Sequence, residues 1–354
     1  MGRFFLGALG VLLLAHAAPA SALDFVRLPD GAARFSHAPG VISLSGGALM
    51  ACWYSGSGER SPDTVVRCAR EESGGRDWRA LPVAVRAGEM PAGATAPDRA
   101  VGNVVLARDL NGRVILIYGV VQGRSGPPCR GWKCGGVNFK ISSDEGKTWS
   151  APVRLEARLG MLPRAGVLHE GARDLLPLYR EGRGSSVIGL SLSGLDDSLP
   201  EIETFPIPTR DGLIQPSLAK SADGTVFAFL RDQKRKGVFV SRFRDGAWSS
   251  ARKTNLPNPG AAVEAFSDAA FGILLIYNPS SASRSALSLA RTRDGETFDG
   301  GCTLTGGANF GAVAYPSVTR IDDNHWALVF SARGKAEIMK TTLDRATIAR
   351  CVGG

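Results

Sequence analysis

The sequence predicts an all-β chain folded as a six-bladed β-propeller. Three observations predict it. A hairpin-like unit recurs six times, an Asp-Gly turn recurs in phase with it, and no stretch repeats apolar residues at helical spacing over three turns. The units begin at Val41 (VISLSGGALMACWYS), Asn103 (NVVLARDLNGRVILIYG), Val167 (VLHEGARDLLPLYRE), Ile214 (IQPSLAKSADGTVFAFLRD), Ala262 (AVEAFSDAAFGILLIYN) and Val313 (VAYPSVTRIDDNHWALVFS). Each is a short apolar strand, a turn bearing Gly or Asp, and a second strand of strong apolar alternation, which is a hairpin signature. Units of several strands repeating on the order of every 50 residues indicate a propeller, and six copies indicate six blades.

In chain order, the first element is an export signal. Arg3 supplies a basic start, Phe4 to Ala15 is an apolar run, and Ala20-Ser21-Ala22 is a small-x-small cleavage site. The run is too short for a membrane anchor, and no later segment is apolar for long enough to cross a bilayer. Cleavage is expected after residue 22, leaving 23–354 as one propeller domain, periplasmic or secreted. Within the blades, the stretch Ser142-Ser143-Asp144-Glu145-Gly146-Lys147-Thr148-Trp149 fits an S-x-D-x-G-x-T-W turn, the Asp-box, between a third and a fourth strand. Its Asp accepts backbone N–H groups, its Gly supplies a permissive backbone, and its Trp packs between blades. Degenerate copies are Gly74–Trp78, Arg244–Trp248 and Thr292–Phe298, with a lost copy at SLSGLDDSLPE. The 44 Gly and 20 Pro residues imply short, turn-rich connections and leave no linker for a second domain.

Lys and Arg number 42 against 33 acidic residues, a net charge of +9 that becomes +8 once Arg3 is removed. The basic residues are scattered, which together with export argues against nucleic acid and leaves solubility or an acidic ligand. Cys52, Cys68, Cys129, Cys134, Cys302 and Cys351 form an even set in a chain bound for export, which favours disulfides. Fifteen pairings are possible. Position favours Cys52–Cys68 on neighbouring strands, Cys129–Cys134 across the CRGWKC loop, and Cys302–Cys351 as the remainder. Neither a CxxC pair nor an HExxH stretch is present, so no metal and no cofactor is expected.

In a propeller the start of the first strand, the end of the second and the start of the third meet at one rim, away from the Asp-box turns. Those slots hold His37, Asn103, Gln215 and Tyr315, then Glu59, Arg60, Asp63, Glu181, Arg231, Asp232, Asn278 and Arg333, then Arg284. Charged and aromatic groups converging there make a binding funnel.

These residues resemble the sialidase (neuraminidase) superfamily, in particular its bacterial predicted-neuraminidase branch with BNR repeats, and the resemblance covers nearly the whole mature chain. It implies a six-bladed propeller of sialidase type. Such enzymes hold a sugar carboxylate with three arginines, use a Tyr nucleophile paired to a Glu, and use an Asp as acid/base. AYPSVTRIDD resembles the nucleophile segment and implies Tyr315. NPSSASRSALSLARTRDG and TVFAFLRD resemble arginine segments and imply Arg284 and Arg231, with Arg333 in SARGKAEI as a third. SGSGERSPDTVVRCAR resembles the acid/base loop and implies Asp63. Two positions depart from the pattern: His37 stands where the first arginine is expected, and Gln215 where the Tyr-activating Glu is expected. A neutral Gln takes no proton from a phenol of ordinary pKa about 10; Glu59 and Glu181 are alternative carboxylates.

The resulting expectation is a retaining glycoside hydrolase acting as a monomer on a terminal acidic sugar such as sialic acid, in a sialoglycoconjugate or similar acidic glycan. Tyr315 would be the nucleophile and Asp63 the acid/base; Arg231, Arg284, Arg333, His37, Gln215 and Glu59 would bind substrate. A neutral nucleophile suits an anionic sugar because it avoids repulsion by the carboxylate. The rival expectations are a glycan-binding propeller without turnover and a hydrolase or lyase for another acidic sugar.

Overall fold

A computed structural model describes residues 23–31, 33–72, 77–92, 94–123, 129–196 and 201–353. The expected leader lies outside the described residues, as do parts of the Gly74–Trp78 turn and of the SLSGLDDSLPE segment.

Six antiparallel sheets form six blades. The inner strands are Phe35–Ser43, Ala100–Arg108, Met161–Pro163 continued by Leu168–Glu170, Leu213–Lys220, Glu264–Asp268 and Ala314–Arg320. Second strands such as Val114–Val121, buried along their whole length, sit between neighbouring blades and need apolar residues on both faces. The last blade takes its outer strand from the other end of the chain: Phe25–Arg27 pairs with Glu337–Asp344. This pairing ties the start of the chain to its last blade and closes the ring.

The Asp-box behaves as its chemistry requires. Asp144 accepts from the Thr148 backbone at 2.9 Å and from the Thr148 hydroxyl at 2.6 Å, while Gly146 N–H reaches Ser142 Oγ at 2.8 Å. Those bonds hold the Asp144 carboxyl at about 2, led by the Thr148 hydroxyl. Gly146 has φ 86° and a Cβ there would lie 2.5 Å from Met50 Sδ of blade 1, so the turn also sets the approach of two blades. The degenerate copy in blade 4 differs: Asp245 (φ 52°) and Gly246 (φ 78°) form a two-residue hairpin loop between Arg244 and Ala247.

All three position-favoured disulfides are present: Cys52–Cys68, Cys129–Cys134 and Cys302–Cys351. The last pins a helix, Arg345–Val352, that the periodicity did not reveal because its eight residues are too short to show three turns. Asp344 caps it by accepting from Thr347 N at 2.6 Å, and Gly353 ends it at φ 63°. Cys129–Cys134 closes only a five-residue separation. Replacing both with Ser is expected to lower stability by no more than about 2 kcal/mol, read as a small shift of the urea midpoint at unchanged slope.

Four inner strands share a local defect that matters for the site. The ladder slips between His37 and Gly40, Val101 and Val104, Ile214 and Ser217, and Ala314 and Ser317. Such bulges bend the strand and re-aim a side chain. In three of them a non-glycine residue takes a left-handed backbone immediately before a proline: Ala38 (φ 50°), Gln215 (φ 56°) and Tyr315 (φ 58°). Strain of this kind costs about 1–3 kcal/mol per residue and clusters where function requires a fixed pose.

Candidate functional site

The bulges place His37, Asn103, Gln215 and Tyr315 at one level around the propeller axis. Tyr315 is 8% exposed and Gln215 2%. The His37 ring centroid lies 4.3 Å from that of Tyr315. Gln215 Nε2 donates to Tyr179 Oη at 3.2 Å and points to Tyr315 Oη at 3.5 Å. Asn103 Nδ2 also donates to Tyr179 Oη, at 3.1 Å. Blades 1, 2, 3, 4 and 6 therefore meet in one polar and aromatic cluster.

Guanidinium groups surround the phenol. The Arg164 guanidinium carbon is 4.9 Å from the Tyr315 ring centroid and that of Arg231 5.8 Å. Arg231 Nη1 and Arg284 Nη2 both donate to the Gly260 carbonyl, at 2.5 and 3.0 Å, which sets the two side by side. Burial pushes the Tyr315 hydroxyl up, but Arg231, Arg284, the Gln215 amide and Arg164 together hold it below the ordinary tyrosine value. Tyr179 moves the other way, raised by burial and then by Tyr315 and Glu181. Of the two phenols, Tyr315 is therefore the one arranged to ionise.

His37 does not replace an arginine in charge. Burial holds its imidazole well below the ordinary range, and Lys335, Arg164, Arg284 and Arg231 push it the same way. It is neutral at pH 7 and fixed by Ser331 Oγ, 2.9 Å from its Nδ1. The third guanidinium beside Tyr315 comes instead from blade 3, as Arg164, which is 2% exposed.

The other expected residues are each held by partners of their own. Asp63 is exposed, and its carboxylate accepts from Ser57 N at 3.0 Å and Ser57 Oγ at 2.9 Å. Glu59 accepts from Trp132 Nε1 at 2.8 Å and Lys335 Nζ at 2.5 Å. Burial raises its carboxyl, but the bonds from Lys335 and Trp132 outweigh that and hold it below the usual value. Arg333 does not join the site: its Nε donates to Glu337 at 2.9 Å within its own hairpin, and its side chain is 56% exposed. Arg333 sits in a left-handed turn (φ 48°). Glu181 accepts from Gln233 Nε2 at 3.2 Å, and its charge helps raise the Tyr179 hydroxyl.

Sequence reasoning missed Arg164, Tyr179, Tyr54 and Trp132. The sequence repeat starts blade 3 at Val167, whereas its inner strand starts at Met161 and breaks after Pro163, which leaves Arg164 outside the repeat. The proline beside Arg164 was the available signal, since Pro39, Pro216 and Pro316 mark the same level in blades 1, 4 and 6. Trp132 rides the Cys129–Cys134 loop and meets Tyr54 edge-on at 6.3 Å, closing the rim over blades 1 to 3.

Residues 47–328 match the BNR repeat-like domain family. The chain belongs to that family. Solved structures of sialidases share the propeller fold of this BNR repeat-like protein. It is similar to the Hadza microbial sialidase Hz136, with 17% identity and a TM-score of 0.71 over 90% of this chain and 67% of that one. It is similar to the NanB sialidase from Streptococcus pneumoniae, with 11% identity and a TM-score of 0.71 over 91% of this chain and 70% of that one. It is also similar to the intramolecular trans-sialidase from Ruminococcus gnavus, solved with oseltamivir carboxylate, with 11% identity and a TM-score of 0.72 over 92% of this chain and 98% of that one. At such identities the likeness is one of fold. No curated protein sequence matches this BNR repeat-like chain significantly. No helix among its described residues is long and apolar enough to cross a membrane.

Proposed function

We propose that this BNR repeat-like protein is a sialidase-like glycoside hydrolase that removes a terminal acidic sugar with retention of configuration. The observation that carries the proposal is the Tyr315 phenol at the bulged rim, with Arg164 at 4.9 Å and Arg231 at 5.8 Å from its ring and Arg284 beside Arg231 on the Gly260 carbonyl. The Tyr315 phenol oxygen attacks the anomeric carbon and a C–O bond forms as the glycosidic C–O bond breaks. Asp63 gives a proton to the departing oxygen. Water then attacks the same carbon, Asp63 takes the water's proton, and Tyr315 leaves as phenolate. The phenol proton of the resting enzyme goes to solvent, since the facing Gln215 accepts none. Arg231 and Arg284 take the sugar carboxylate with the N–H groups that Gly260 leaves free.

Export to the periplasm or the medium belongs to the same proposal. Three disulfides suit an oxidising compartment. A mature N-terminus at Leu23, found by mass spectrometry of the exported protein, is the expected result.

One observation favours a second reading, an acidic-glycan-binding propeller without turnover. Gln215 faces Tyr315 where a base would stand, and Glu59 is committed to Lys335 and Trp132. Reporter release from sialosides and uronides, with binding measured in parallel, separates the two readings. On either one, Arg284→Ala is expected to weaken binding of an acidic sugar by about 1.5–3 kcal/mol, the worth of a charge-assisted bond. Calorimetric titration checks this, and binding should weaken at high salt. Equal affinity in wild type and variant would remove Arg284 from the site.

A further inference from the structure

Beneath the Tyr315 cluster lies a cavity of about 300 Å³, lined by Gly40–Ser43, Val104–Arg108 and Ser317–Arg320 with Arg164, His169 and Glu264. The inner-strand segments follow the bulges in sequence, so the cavity runs along the axis on the Asp144 side of Tyr315. Two buried charges meet in it. Arg164 Nη2 donates to the Pro316 carbonyl, next to Tyr315, at 2.6 Å, and its Nε and Nη1 have no hydrogen-bond partner among the described residues. Glu264, 5% exposed, lies 3.4 Å from both Ser217 Oγ and Val318 N. Ser217 is two residues beyond Gln215, and Val318 three beyond Tyr315. The pair thus grips both bulged strands from below.

Resting on the reading of Tyr315 as the nucleophile, we propose that Arg164 and Glu264 are positioning residues that act through Tyr315 from the axial cavity. They fix its left-handed pose, and together they set the field at its hydroxyl. Neither touches the sugar. A buried guanidinium is tolerable only with compensation, and two of its three nitrogens lack a direct bond. The Glu264 carboxylate supplies that compensation through space, and burial followed by Arg164 leads the balance that puts its own ionisation at about 7. The groups facing Tyr315 are Arg231 from blade 4, Arg284 from blade 5, Arg164 and Tyr179 from blade 3, and neutral His37 from blade 1. Those facing Glu264 are Arg164, Ser217 and the Val318 amide, with His169 and Arg320 elsewhere in the cavity.

The two charges push Tyr315 in opposite senses, and this separates positioning from simple structural support. Above neutral pH Glu264 is ionised, so Glu264→Gln removes a negative charge near the phenol. Arg164→Met removes a positive one at nearly constant volume. Tyrosinate absorbance, with the Tyr315→Phe signal subtracted, is expected to show Tyr315 titrating at lower pH in Glu264→Gln and at higher pH in Arg164→Met. Arg164→Lys should recover most of the wild-type titration. Turnover in Arg164→Met should fall on the order of 100-fold, through kcat more than KM. If Arg164→Met does not fold, Glu264→Gln and Arg164→Lys carry the test. A Tyr315 titration unmoved in folded Glu264→Gln, or moved in the same direction by both charge removals, overturns the proposal. Opposed shifts in a protein that turns over no acidic glycoside sustain the positioning pair and overturn the hydrolase reading.

Discussion

Tyr315→Phe is expected to abolish turnover while leaving affinity for an acidic sugar within about twofold of wild type. The substitution removes one oxygen from a side chain whose ring is held by His37 at 4.3 Å and Arg164 at 4.9 Å, so the pocket wall stays in place. The arginines that would take the carboxylate are fixed by Gly260 and not by the phenol, so the anion site is preserved. The loss in kcat should be roughly 10⁴-fold, the scale at which removal of a nucleophile is felt. Stability should change little, because the bond at stake is the long 3.5 Å contact from Gln215. Steady-state release of reporter and equilibrium binding, measured on the same preparation, check both halves. Full turnover in the variant would exclude Tyr315 as nucleophile. A parallel loss of binding would show that the hydroxyl holds ligand instead.

The propeller was legible because each blade repeats a two-strand alternation that local periodicity detects. The Asp144 box was legible because its Ser, Gly and Thr have fixed hydrogen-bonding duties. The closing strand was not, since Phe25–Arg27 is three residues whose partner strand lies at the far end of the chain. Tyr315, Gln215, Arg231 and Arg284 were readable from their slots at strand ends, and the structure brings all four together. Arg333 occupies a slot of the same kind, yet the left-handed turn that carries it points its charge to Glu337. Sequence position does not encode that rotation. Arg164 and Glu264 were hidden for a related reason. Each lies at a strand end where an ionised residue ordinarily faces water, and only closure of the ring puts both on the axis.

That closure has a consequence for pH. Glu264 ordinarily titrates at 4.5, and in the folded protein burial raises it to about 7 even with Arg164 opposing. Below pH 4.5 the carboxyl is protonated in both states and makes no difference to folding. Between 4.5 and 7 the unfolded chain releases the proton while the folded one keeps it, so the folded state binds more protons and stability falls as pH rises. Above 7 both are ionised and the loss is complete. A shift of this size corresponds to about 3 kcal/mol, at 1.36 kcal/mol per unit. Glu264→Gln has no such slope. The stability of wild type relative to Glu264→Gln is therefore expected to decline by about 3 kcal/mol from pH 4.5 to pH 8, read from urea midpoints of the two proteins at each pH. Comparing the two cancels the other carboxylates, which titrate alike in both. A difference that stays constant across this range would mean that Glu264 ionises as freely in the fold as outside it, and that water or a direct bond from Arg164 reaches it in the cavity.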